Sequence, residues 1–147
     1  MMALGAALML SGGCNVLTPV TAPTARVVSV EITERSDEGT RVEATVELTN
    51  PNDVPLPLPD SYYRLSVAGA GTYVGRQLPL ATLPPKGVQR VKLPAAYPVA
   101  LGKVLSGYQL TGEIVYRPPG EIRALLTESN VPLPRVAIRS SWKASGR

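Results

Sequence analysis

Residues 41–49 read Arg-Val-Glu-Ala-Thr-Val-Glu-Leu-Thr. Val42, Ala44, Val46 and Leu48 fall on one face, and Arg41, Glu43, Thr45, Glu47 and Thr49 on the other. A period of two marks a half-buried β-strand and leaves no room for a helix. The strand runs straight into Asn50-Pro51-Asn52. Pro51 has no amide to donate and steers Asn50 away from helical angles, so the ladder must stop there. An amide side chain beside such a stop bonds to nearby backbone and closes a turn. Asn50 is therefore read as structural, with Pro51 and Asn52 completing the motif.

The rest of the chain has the same character. Fifteen Pro and 13 Gly in 147 residues favour short strands and tight turns over long helices. The length suits one domain. With 44% hydrophobic and 18% charged residues, the chain can bury a core. Phe is absent, so that core must be Val, Leu, Ile and the six Tyr.

Alternation predicts strands over 25–33, with Val28, Val30 and Ile32 on one face, and over 62–68, with Tyr63, Leu65 and Val67 on one face. Further strands are expected over 72–78, 88–93 and 108–117, the last presenting Leu110, Gly112, Ile114 and Tyr116 together. Residues 121–127 and 131–139 are expected to form a closing hairpin. Residues 51–59, with four Pro, read as an extended connection. The spacing of Val99, Ala100, Leu101, Val104 and Leu105 predicts a short helix over 98–107. The sum is an all-β sandwich of seven or eight short antiparallel strands with one short helix.

Composition also removes chemistry. There is no His, which takes away the usual general base and the commonest metal ligand. A single Cys permits neither an internal disulfide nor a Cys-based zinc site. No enzyme activity, cofactor or metal is expected. Ser140-Ser141-Trp142-Lys143 spells S-x-x-K without its usual partner motifs. Gly69-Ala70-Gly71 lies between strands and opens no helix, so it reads as a hairpin turn.

Residues 1–134 carry eleven basic and eleven acidic side chains, and the net charge of +4 comes entirely from Arg135, Arg139, Lys143 and Arg147. Residues 140–147 read as a basic tail. Those four cations are either solvated or in contact with an anionic surface. No basic patch with interleaved aromatics is present, so no specific nucleic acid is expected.

Met1 to Leu10 is apolar and too short to span a bilayer. Its length suits the apolar region of a secretory signal. Ser11, Gly12, Gly13 and Cys14 follow, a sequence that resembles the lipobox of bacterial lipoproteins. The resemblance implies a signal peptide over 1–13, lipid attachment at Cys14 and a tether over 14–24. It implies a protein held on a membrane of the bacterial cell envelope, facing the periplasm. Without a functional signal the chain would stay in the cytoplasm.

From residue 25 to 139 the order of pieces resembles the late-embryogenesis-abundant group 2 family, also called the water-stress and hypersensitive-response domain. An alternating strand ends in Asn50-Pro51-Asn52. Val54-Pro55-Leu56-Pro57-Leu58 and Tyr62-Tyr63-Arg64-Leu65 follow. Then come Val74-Gly75-Arg76, Leu83-Pro84, Pro85-Lys86-Gly87 and Gly112-Glu113-Ile114. The resemblance implies a fibronectin-III-like or immunoglobulin-like sandwich and a non-enzymatic role in desiccation and stress tolerance, acting on labile client proteins or membranes. Two alternatives are a lipid-binding or lipid-transfer module and an adaptor subunit of an envelope complex. The first would use an apolar groove formed by Val54, Leu56, Leu58, Tyr62 and Tyr63.

Overall fold

The computed structural model describes residues 20–145. Among them are β1 (Thr24–Arg35), β2 (Thr40–Thr49), β3 (Leu56–Leu58), β4 (Asp60–Val67), β5 (Gly71–Gln77), β6 (Ala81–Leu83), β7 (Val88–Tyr97), β8 (Gly107–Val115), α1 (Gly120–Glu128) and β9 (Arg135–Lys143). One sheet has the order β1-β2-β7 and a second the order β5-β4-β8-β9; β3 and β6 form a short ladder of their own. Every pairing is antiparallel. The two larger sheets close on one another as an all-β sandwich.

The alternating strand is its centre. β2 lies between β1 and β7, with Val46 opposite Val27 on one side and Val91 on the other. Val42, Ala44, Val46 and Leu48 are fully buried, as are Leu65, Leu110 and Ile114 from the facing sheet. Leu56 and Leu58 of β3 join the same core. The proline-rich stretch is thus an extended connection whose leucines turn inward while Pro57 pairs with Thr82.

With Phe absent, tyrosines tie the two sheets together. Tyr63 on β4 donates its hydroxyl to the Pro94 carbonyl on β7. Tyr97 on β7 donates to the Leu65 carbonyl on β4. Tyr73 stands between them, 6.0 Å from the Tyr63 ring and 6.4 Å from that of Tyr97. Gly75 and Gly112 flank Tyr63 across the sheet. A Cβ on Gly112 would sit 2.5 Å from the Tyr62 carbonyl oxygen, so only glycine allows that approach.

Four local expectations are corrected. In β1 the register shifts between Val27 and Ser29. This bulge sends Val28 to the surface, while Ala25, Val27, Val30 and Ile32 pack against the core. Residues 98–107 form no helix: Thr40 Oγ1 donates to the Val99 carbonyl at 2.8 Å and accepts from the Leu101 amide at 3.0 Å. That clamp, with Gly102 inside the segment, holds an irregular loop whose Leu105 is buried.

The helix lies instead at Gly120–Glu128, where a strand was expected. Ile122, Leu125 and Leu126 fall at helical spacing among good helix formers. Asn130, at φ 53°, ends it: its amide donates to Thr127 and the Val131 amide to Leu126, the paired bonds of a left-handed helix stop. The last strand starts only at Arg135 and runs on to Lys143, so residues 140–143 are sheet and not tail. Among the described residues no helix is long and apolar enough to cross a membrane.

Candidate functional site: the strand-end knot and the outer face of the four-stranded sheet

Asn50 is 1% exposed. Its Nδ2 donates to the carbonyls of Val54 (2.8 Å), Pro84 (3.1 Å) and Leu83 (3.4 Å). Its Oδ1 accepts from the Asn52 amide at 3.0 Å and from Asn52 Nδ2 at 2.9 Å. One side chain thus joins the end of β2, the following loop and the turn after β6. Asn52 extends this outward: its Oδ1 accepts from the Thr21 amide and its Nδ2 donates to the Thr21 carbonyl, both at 2.8 Å. The Asn52 amide copies a peptide group and prolongs the pairing of the chain ahead of β1. Val20 also packs against the core and Pro23 is buried, so the body begins several residues before 25.

The five residues expected to line an apolar groove do not meet in one. Leu56, Leu58 and Tyr63 are filled core positions, Val54 is half-buried, and Tyr62 lies on the opposite face of the sheet. Adjacent strand residues point to opposite sides, and core closure consumes the inward set.

Tyr62 instead marks the outer face of the four-stranded sheet. Register places Arg76, Tyr62, Glu113 and Ala137 in one row across it, and Val74, Arg64, Thr111 and Arg139 in the next. The first row is electrically closed. Arg76 Nε lies 2.9 Å from both oxygens of Asp60, whose side chain is 13% exposed, and Tyr62 donates to Asp60 at 3.0 Å. Arg135 pairs with Glu113 at 2.7 Å. The guanidinium carbons of Arg76 and Arg135 each lie 5.6 Å from the Tyr62 ring centre. Arg76, helped by Tyr62, holds the Asp60 carboxyl below the usual range.

The second row is open. Among the described residues neither Arg64 nor Arg139 forms an ion pair. Small floor residues, Thr111 and Ala137, leave a shallow depression of about 540 Å³ between the longer side chains. The other sheet is different: Glu47 is gripped by Arg26 at 2.8 Å and Arg90 at 3.2 Å, Glu43 by Lys92 at 3.0 Å, and Glu34 by Arg41 at 3.1 Å.

Of the four excess cations, Arg135, Arg139 and Lys143 fall at every fourth position of β9 and share this outer face. Arg147 and Cys14 lie outside the described residues. Arg64 and Arg76 stood in the sequence only as members of the family-like motifs, and neither they nor Thr111 were expected as site residues. The signal for Arg64 was present in its alternation with Tyr63 and Leu65, but its neighbours depend on register.

Ser140 and Lys143 stand three apart on a strand, so they face opposite sides and the S-x-x-K spacing assembles nothing. Among the described residues no three His, Cys, Asp or Glu side chains converge as a metal site.

The model of the family described as late embryogenesis abundant protein, type 2, matches residues 45–134. The chain belongs to this family. The matched span starts inside β2, contains the Asn50 knot and ends just before β9. Membership makes the chain a stress protein of the LEA type and points away from an enzyme.

Solved structures show the same fold at low identity. A late embryogenesis abundant protein studied in solution is 20% identical, with 83% of this chain and 71% of that one covered and a TM-score of 0.54. The ApaA protein from Bordetella pertussis is 14% identical over 88% and 99%, with a TM-score of 0.52. A structural-genomics target solved by X-ray diffraction is 10% identical over 86% and 90%, with a TM-score of 0.58. No curated protein matches the chain significantly.

Proposed function

We propose that this LEA type 2 protein is a non-enzymatic protectant of the cell envelope, anchored through a lipid on Cys14 and acting by low-specificity contacts with membranes or labile proteins. The observation that carries the reading is the charge asymmetry of the sandwich. One sheet faces outward with ion pairs. The other offers Arg64, Arg76, Arg135, Arg139 and Lys143 against only Asp60 and Glu113. Such a face is attracted to anionic headgroups over roughly a Debye length, about 8 Å at physiological salt.

The anchor agrees with the way the chain meets the body. Six residue steps separate Cys14 from Val20, a reach of about 20 Å at full extension. A lipid on Cys14 would therefore hold the sandwich against its membrane. Carriage of lipid inside the sandwich has no support, because Leu56, Leu58 and Tyr63 already fill that space.

The test is to dry and rehydrate a fragile enzyme, and separately anionic vesicles, with the Cys14→Ser chain or with an equal mass of an unrelated β-sandwich. Retained enzyme activity or retained vesicle contents with this chain alone is the expected result. Equal loss with both proteins would refute protection.

A further inference from the structure

We propose that the Arg64–Thr111–Arg139 row is a binding site for a single phosphate-type oxyanion. Register sets Thr111 directly between the two arginines, on the central strand of the three. Neighbouring strands are about 4.8 Å apart, so the two arginine Cα atoms stand about 10 Å apart, a span that two flexible guanidinium arms close over one tetrahedral anion. Each guanidinium presents paired N–H donors matched to phosphate oxygens, and the Thr111 hydroxyl adds a donor from the floor.

Three further observations favour this row over the rest of the surface. The depression of about 540 Å³ is lined by all three residues, with Ala137 beside Thr111 on the floor, Val74 as an apolar margin and the Arg135-paired Glu113 at its edge. The neighbouring carboxylates are already engaged, Asp60 by Arg76 and Glu113 by Arg135, so Arg64 and Arg139 keep their charge for a ligand. On the opposite sheet the comparable place between two cations, Arg26 and Arg90, is filled by the protein's own Glu47, bound by both. There a carboxylate completes the cross-strand arrangement; in the Arg64–Thr111–Arg139 row the central residue is a threonine, and the anion must come from outside.

By its chemistry the oxyanion is a phosphate group, offered either free or as a phospholipid headgroup. The site itself does not depend on Cys14. Only the headgroup source rests on the membrane reading above.

The experiment uses the full chain carrying Cys14→Ser. Inorganic phosphate is titrated while amide resonances are followed, and binding to vesicles of equal parts phosphatidylglycerol and phosphatidylcholine is measured by sedimentation. Arg64→Gln and Arg139→Gln are compared with Lys103→Gln, which removes the same charge elsewhere. Saturable phosphate shifts at Arg64, Thr111 and Arg139 are expected, with about tenfold weaker binding in each arginine variant and none of that loss in Lys103→Gln. A parallel loss of vesicle binding in the arginine variants identifies a lipid headgroup as the source. Vesicle binding that is absent, or unchanged by those variants, leaves the site in place and identifies free phosphate, even if membrane protection fails. Absence of saturable phosphate shifts, or equal weakening by Lys103→Gln, overturns the site.

Discussion

The hydroxyl of Tyr97 donates to the Leu65 carbonyl at 2.7 Å across the sandwich. Tyr63 returns the bond in the opposite direction, from β4 to Pro94. Burial pushes the Tyr97 phenol up to about 12, and the Tyr63 phenol rises for the same reason. Both groups are neutral in the folded state and ionise near pH 10 in an unfolded chain. Their contribution is complete below about pH 10 and is lost as pH climbs from there through the folded values. Denaturant melts between pH 9 and 12 should show this fall, and Tyr97→Phe should reduce it. At neutral pH, Tyr97→Phe should cost about 1–2 kcal/mol.

Asn50→Ala strands three backbone carbonyls and the Asn52 amide that now bond to one side chain. The expected loss is about 2–3 kcal/mol in urea unfolding. Asn50→Asp should be worse, because a carboxylate would face the carbonyls of Val54, Leu83 and Pro84 without a proton to donate. A melting point equal to wild type in both variants would remove the knot from the stability of the fold.

Gly112→Ala places a methyl group 2.5 Å from the Tyr62 carbonyl oxygen and 2.9 Å from Tyr63 Cβ. Backbone cannot yield as a flexible side chain can, so the expected cost is about 1–3 kcal/mol, read by thermal unfolding. Gly102→Ala, where the nearest atom is 3.9 Å away, should be close to neutral.

Asp60 and Glu47 set the acid limb. Hydrogen bonds from Arg76, and from Arg26 followed by Arg90, hold these carboxyls below their ordinary range. Their support is present above the unfolded value near pH 4 and disappears as pH falls through the lower folded values. Acid titration of Asp60→Asn should show a shallower fall than wild type below pH 4; an identical acid limb would show that the Arg76 pair contributes nothing.

Cys14→Ser should move the protein from the membrane fraction to the soluble fraction in its native host. Unchanged retention would remove the lipid anchor from the proposal while leaving the oxyanion row untouched.

How much of this was legible in advance depended on the range of the interaction. Alternation exposed β2, β4 and β8 because a sandwich strand shows its inward set directly in sequence. The bulge at Val28 was invisible, since one extra residue flips a face without changing composition. Ile122, Ala124 and Leu126 satisfy a strand reading while Ile122, Leu125 and Leu126 satisfy a helical one, and the stop at Asn130 decides between them. Residues 98–107 have helical spacing but are held by Thr40, almost sixty positions away. Asn50 was readable as structural from Pro51 beside it. The open arginine row was not, because Arg64 and Arg139 meet only through the pairing of β4, β8 and β9.

The bond pair between Asn52 and Thr21 has a mechanical consequence. β1 lies at the border of its sheet, and traction on the chain ahead of Val20 would by itself peel Thr24 away from Thr49 one bond at a time. The Asn52 amide bears that load first and passes it through Asn50 to the end of β2, the loop at Val54 and the turn after β6. A molecule pulled from its leading end would therefore yield at a side-chain amide before any strand begins to unzip.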